Sequence, residues 1–233
     1  MASKQVSFYI DGFNLYYGRL KPNPGLRWLD PDALARRLRP HDTVHVRYFT
    51  ARVRTQPDPA ARDRQRLYRR ALDARPSISV HYGRFRTHPK FMALVNPLPG
   101  RPRIVEVHKT EEKGSDVNLA TMLLVDGVDG LYDEAFVISN DGDLAEAIRQ
   151  ANKRFGPVRV LNPHHPANVN EIKQAAASYG PLDTADLAAS QFPDTMMLPS
   201  GRTIHRPPTW TLGAAKNRVA SPAPAVRRTS DGS

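Results

Sequence analysis

The 233-residue chain contains no cysteine. Disulfides and thiolate-held zinc or iron–sulfur clusters are therefore excluded, and any bound metal must sit on oxygen or imidazole ligands. Long apolar runs are missing as well. The N-terminal stretch after Lys4 is broken at Asp11-Gly12, too early for the core of a signal peptide. No later segment approaches the roughly 20 apolar residues of a membrane span. These absences predict a soluble cytoplasmic protein with no membrane partner. Acids are the minority charge, 23 against 34 Lys and Arg, for a net of +11. Such an excess favours a polyanionic partner, because neutralising phosphates releases counterions.

What is present divides the chain in two. Over residues 1–198, short β-branched or apolar runs alternate with helical patterns. Strands are expected at Gln5–Ile10, Thr43–Thr50, Ser77–Phe85, Arg101–Lys109, Glu134–Ser139 and Val158–Leu161. Helices are expected after Asp30-Pro31, over Pro59–Ala74, over Ser115–Val128, from Asp143 to about Arg154, and over Val169–Ala177 and Thr184–Ser190. This order predicts a three-layer α/β domain around a mostly parallel sheet, with its site at the strand ends. Residues 199–233 are rich in Pro, Ser, Gly, Ala and Arg, with six bases against one acid. A disordered basic tail is expected there. Composition leaves open whether the tail meets RNA, a protein partner or nothing, and whether the chain is a monomer or a homodimer.

Carboxylates fall where strands meet helices: Asp11 after the first strand, Asp116 at a helix start, and Asp141 with Asp143 after a later strand. In a parallel sheet these ends open on one edge, so residues about 130 positions apart can converge. Clustered carboxylates repel unless a cation compensates them, and an all-oxygen set favours Mg²⁺ or Mn²⁺. Hydrolysis of a phosphodiester fits these parts. Each aspartate taken alone is equally well explained as a helix cap; their joint placement favours a site.

The same residues carry a resemblance. Phe8-Tyr9-Ile10-Asp11-Gly12-Phe13-Asn14-Leu15, Lys113-Gly114-Ser115-Asp116-Val117-Asn118-Leu119 and Ser139-Asn140-Asp141-Gly142-Asp143-Leu144 stand in order. Together they resemble the three motifs of NYN-domain (LabA-like) proteins of the PIN-like nuclease superfamily. The resemblance covers about Val6–Leu161 and implies a PIN-like fold, Mg²⁺ or Mn²⁺ dependence and RNA as substrate. It also implies that Asp11, Asp116, Asp141 and Asp143 hold metal, that Asn14 orients a ligand or phosphate, that Lys113 contacts the nucleic-acid backbone and that Ser139 supports the site. Asn140 stands where the family more often has glycine.

Other features remain two-sided. Arg62, Arg66, Arg69 and Arg70 on the basic Pro59–Ala74 helix suit an RNA path, yet also suit a solvated face. Arg84, Arg86, His88 and Lys90 form a second basic cluster with the same two readings. His164-His165, flanked by prolines, fits an exposed turn better than a metal site. Of Tyr16 and Tyr17, one is expected in the core and the other beside the site. The function that follows is a metal-dependent ribonuclease. The rivals are a catalytically weak RNA-binding or antitoxin-like module and a small-molecule phosphatase. The phosphatase wants a second acid two positions after Asp11, where Phe13 sits.

Overall fold

The structure is a computed structural model that describes residues 3–52, 58–98, 100 and 102–211. Its elements run β1 (Gln5–Asp11), α1 (Gly12–Leu15) with a π-turn over Tyr16–Leu20, α2 (Pro31–Leu38), β2 (Thr43–Ala51), α3 (Pro59–Asp73), β3 (Ile78–Ala93) and β4 (Ile104–Lys113). They continue with α4 (Ser115–Val128), β5 (Glu134–Ile138), α5 (Ala145–Arg154), β6 (Val158–Asn162), α6 (Asn170–Ala175), β7 (Ser178–Pro181), α7 (Thr184–Ala189), β8 (Thr195–Met197) and β9 (Thr203–His205).

Seven strands form one sheet in the order β4-β3-β2-β1-β5-β6-β7, parallel throughout except for the antiparallel β3–β4 pair. The central strands are apolar on both faces because helices cover both. Phe8, Ile10, Phe136 and Ile138 pack with Leu34 of α2, Tyr68 and Leu72 of α3, and Leu187 of α7. Tyr9 and Val137, one residue out of phase, pack with Leu119 and Leu123 of α4, Ile148 of α5 and Ile172 of α6. The expected three-layer α/β fold is therefore observed. Arg47 of β2 grips the buried Asp126 of α4 with two hydrogen bonds of 2.5 and 2.6 Å, and Tyr9 Oη donates to the same carboxylate at 2.6 Å. Among the described residues no helix is long and apolar enough to cross a membrane.

The Pro- and Gly-punctuated stretch between the strands expected at Ser77–Phe85 and Arg101–Lys109 reads as a hairpin or an irregular insertion, and the structure decides between the two. The stretch after Tyr82 is one long hairpin: β3 runs ten residues beyond its last pairing with β2, Ala51 opposite Gly83, and pairs with β4 from Arg84–Lys113 to Ala93–Ile104. Prolines and glycine hide this regularity, because in a two-stranded ribbon one edge of each strand needs no ladder donor. Arg101, where the second of these strands is expected to begin, lies outside the described residues. An additional edge strand, β7, has the strand-poor sequence Ser-Tyr-Gly-Pro.

Regular structure continues past residue 198. Strands β8 and β9 pair antiparallel, and a final turn seats Trp210 at 6.1 Å from both Trp28 and Tyr68. Met196, Ile204 and Trp210 are the buried side chains that tie this mostly polar stretch to the core. The rest of the proposed tail, 212–233, lies outside the described residues.

Truncation after Leu198 is expected to destabilise the domain, whereas truncation after Thr211 leaves the Trp210 packing intact. Trp210→Ala should cost about 3 kcal/mol in urea unfolding. Equal stability of both truncations would return the boundary to residue 198.

Candidate active site

The sheet order reverses direction at β1: the chain moves from β1 to β2 and β3 on one side, then returns to place β5 on the other. Ligand sites in open parallel sheets form at the carboxyl ends of strands at such a switch point. Asp11 is the last residue of β1, and Ser139 to Asp141 directly follow β5, whose Ile138 lies opposite Ile10.

Asp11 is almost fully buried and caps α1. Its Oδ1 accepts from the backbone N–H groups of Phe13 (3.1 Å) and Asn14 (2.9 Å), and its Oδ2 accepts from Ser139 Oγ at 3.0 Å. Gly12 is required next because a Cβ there would stand 2.7 Å from the Phe49 carbonyl of β2. Ser139 Oγ in turn accepts from the Asp141 N–H at 3.1 Å, and Asp141 Oδ1 accepts from the Asp143 N–H at 3.0 Å. Both aspartates are thus helix caps as well as neighbours; capping uses Oδ1 of each and fixes how the carboxylate faces its surroundings.

Asp116 arrives from the other sheet face. It sits in the first turn of α4, which opens at Gly114 with φ of 100°, a conformation suited to glycine. The role of the glycine in Lys113-Gly114-Ser115-Asp116 is therefore to turn the chain from β4 into α4. Glu112, absent from the sequence-based site, completes this turn. It accepts from the Ser115 N–H at 3.2 Å and from Ser115 Oγ at 2.5 Å. Its signal in the sequence is its place four residues before Asp116, just ahead of the Gly114 turn.

Electrostatics ties the acids together. The Asp116 carboxyl is pushed up to about 6, first by burial and then by the negative charges of Asp11, Asp141 and Glu112. Burial also raises Asp11, which Asp141 raises further while its three hydrogen bonds oppose the shift. The fold therefore brings Asp11, Asp116 and Asp141 into mutual repulsion. Asp143 stands apart: it is exposed, and its bond to the set is its backbone N–H, donated to Asp141. Among the described residues, no three His, Asp or Glu side chains are already set around a common point at metal-ligand spacing. The donor set nevertheless suits a hard divalent cation, since it is all oxygen.

A second layer holds this set. Asn14 Oδ1 accepts from the Asn140 N–H at 2.9 Å, linking α1 to the β5 loop. Asn140, in the place where glycine is usual, uses its side chain to donate to the Ala167 carbonyl and accept from Tyr179 Oη at 2.6 Å. His164 is not an isolated exposed turn. It is half-buried with Nε2 3.1 Å from the Asn14 carbonyl, which can only accept, so the ring proton is on Nε2. Tyr16 packs on the core, and Tyr17 is exposed.

The basic helix α3 begins near the acids' edge of the sheet and runs away from it, because it connects the end of β2 to the start of β3. Arg62 and Arg66 are exposed, with Arg66 paired to Asp63. Arg69 faces Asp73 and Tyr82, and Arg70 lies toward the far edge. Lys113 is exposed and 3.2 Å from Glu111.

Residues 5–183 match the sequence family described as the NYN domain. A relative in Pseudomonas putida, 6-hydroxy-3-succinoylpyridine 3-monooxygenase HspA, is 29% identical, over 88% of this chain and 75% of that protein. A solved structure of a Vibrio parahaemolyticus protein of unknown function overlays with a TM-score of 0.48 at 14% identity. It covers 78% of this chain and 94% of that one, a likeness too slight to carry an argument.

Because ionising Asp116 is harder in the folded state, the metal-free protein loses stability as pH rises from the usual carboxylate range through about 6. Asp116→Asn should therefore be more stable than the parent at pH 7.5 by about 1–2 kcal/mol, after allowance for solvent screening, and equal to it near pH 4. Urea unfolding in EDTA at both pH values measures this. A pH-independent difference would mean that Asp116 feels no such repulsion.

Proposed function

The chain belongs to the NYN-domain family, and from this membership and the site's geometry we propose that it is a metal-dependent ribonuclease hydrolysing phosphodiester bonds in RNA. The observation that carries the proposal is the convergence of Asp11, Asp116 and Asp141 at one switch point, with the Asp116 carboxyl raised by burial and then by its acidic neighbours. A divalent cation, Mg²⁺ or Mn²⁺, held by these carboxylates would supply positive charge to the scissile phosphate and acidify the attacking water. In the hydrolysis, water oxygen would bond to phosphorus as the ester P–O bond breaks, one water proton passing to solvent and the leaving oxygen taking a proton from solvent, to give a phosphate monoester and a hydroxyl.

The chain's own residues prepare this geometry. Asp11 is oriented through Oδ1 by two backbone donors, which leaves Oδ2 with one lone pair beyond its Ser139 bond. Asn14 keeps the α1 turn against the β5 loop, and Asp143 serves through its N–H by orienting Asp141. Lys113, at the foot of β4, and Arg62, near the same edge, contact the RNA backbone in this proposal, with Arg66 one turn further on.

A second reading rests on the Pseudomonas relative, whose name is that of a monooxygenase of a hydroxypyridine. Under it, this chain would insert one oxygen atom from O₂ into a related ring and reduce the other to water, using electrons from a reduced nicotinamide or flavin.

End-labelled single-stranded RNA incubated with Mn²⁺, Mg²⁺ or EDTA tests the first reading. Cleavage is expected with either cation, none with EDTA, and a loss of about 10²-fold or more in Asp141→Asn. At subsaturating cation, activity should fall as pH drops through about 6, because protonated Asp116 no longer attracts the ion. Intact RNA under all conditions, with oxygen consumption on hydroxypyridines and a reduced cofactor, would replace hydrolysis with oxygenation.

A further inference from the structure

The β3–β4 ribbon leaves the sheet at the edge that carries the acids. Beyond Gly83 it has no β2 partner, and it projects for ten residues, roughly 33 Å at the usual rise per residue. Side chains alternate between its two faces, and the register decides which residues share one. Arg84 pairs with Lys113, Arg86 with Glu111, His88 with Lys109 and Lys90 with Val107. All eight lie on one face. It is the face of α3, since Tyr82, two residues earlier, meets Arg69 of that helix and lies under the Arg52 guanidinium at 5.4 Å.

This face carries five cations against one anion. Glu111 engages both Lys109 and Lys113. Arg84, Arg86 and Lys90 are exposed and have no ion pair among the described residues. The opposite face differs in kind. It holds Phe85, packed edge-on to Phe13 at 5.7 Å, together with Glu112, Thr87, Thr110, Phe91 and Glu106. One side of the ribbon therefore attracts polyanions, and the other is apolar and acidic.

Alternate residues on a strand are about 6.6 Å apart, close to the separation of successive phosphates in an extended single strand. Among the described residues the cations of this face without an ion pair, Arg84, Arg86 and Lys90, form one row along β3, while Lys109 and Lys113 on β4 are engaged by Glu111, so the face offers a track for one strand rather than two. We propose that this row, from Arg52 and Tyr82 through Arg84, Arg86 and Lys90, holds the sugar–phosphate backbone of single-stranded RNA and leads it to the acid cluster at the ribbon's foot. The ribbon is then a substrate-guiding arm, and Lys113 is its last cation before Asp116. The inference deepens the ribonuclease reading and rests on it for the identity of the strand as RNA.

The test measures binding without cleavage. Arg84→Glu/Arg86→Glu/Lys90→Glu is compared with the parent and with Lys153→Glu/Arg154→Glu/Lys173→Glu, an equal charge change on α5 and α6. Binding of a fluorescent 12-nucleotide single strand in EDTA is followed against salt. The arm variant should bind roughly tenfold or more weakly at low salt, and its log–log salt slope should fall by about 2, the value for three lost phosphate contacts on a single strand. The α5/α6 variant should keep the parent's slope. The neutral Arg84→Gln/Arg86→Gln/Lys90→Gln form, with a circular dichroism melt, separates lost contacts from lost fold and should show the same drop in slope.

Equal losses in arm and α5/α6 variants would reduce the effect to net charge and overturn the proposal, as would no loss in either. The two readings fail separately. A parent that binds through the arm but never cuts leaves the arm standing and removes hydrolysis. A parent that cuts, with an arm variant that binds and cuts equally well, removes the arm alone.

Discussion

Parallel pairing of β1 with β5, Ile10 opposite Ile138, is the constraint on which the site depends. It brings the two strand ends level, so that Ser139 can donate to Asp11 while accepting from the Asp141 N–H. A one-residue slip of β5 would turn Ile138 to the face opposite Ile10 and separate these groups at the same time. The apolar cores on both faces of the sheet therefore fix the geometry of the carboxylates, although they touch no substrate.

The site works against the stability of the fold. Burial and three negative neighbours make Asp116 hard to ionise, and burial does the same to Asp11. The fold offsets this with structures that hold the acids in place: the cap bonds at Asp11 and Asp141, the Glu112–Ser115 contact at the start of α4, and the Asn14–Asn140–Tyr179 chain behind them. The buried Arg47–Asp126 pair anchors α4 to β2, and with it the helix that presents Asp116. Breaking such a pair from one side commonly costs about 3–5 kcal/mol, because a charge is left buried without a partner.

Charge is divided between the faces of the molecule. The acids meet at the strand ends, and cations line one face of the projecting ribbon that flanks them. Nearby opposite potentials of this kind suit a long anionic substrate that is drawn in along one surface and reacts at another.

The alternation of apolar runs, the three motifs and their aspartates were legible in the sequence, because strand period, helix caps and glycine turns are local properties of the chain. The three-layer fold and the places of Asp11, Asp116 and Asp141 followed from them. Local signals could not reveal the side-chain bridge made by Asn140 to Tyr179 or the docking of Trp210 against Trp28, since each depends on contacts between distant segments. Nor could they show that Arg84, Arg86 and Lys90 share a face with Lys113 and Lys109, because only cross-strand register decides it. The sequence by itself determined which chemical groups this protein has and at which strand and helix ends they stand. Tertiary structure alone decided which of them meet, because convergence is set by strand order and register, which pair residues far apart in the chain.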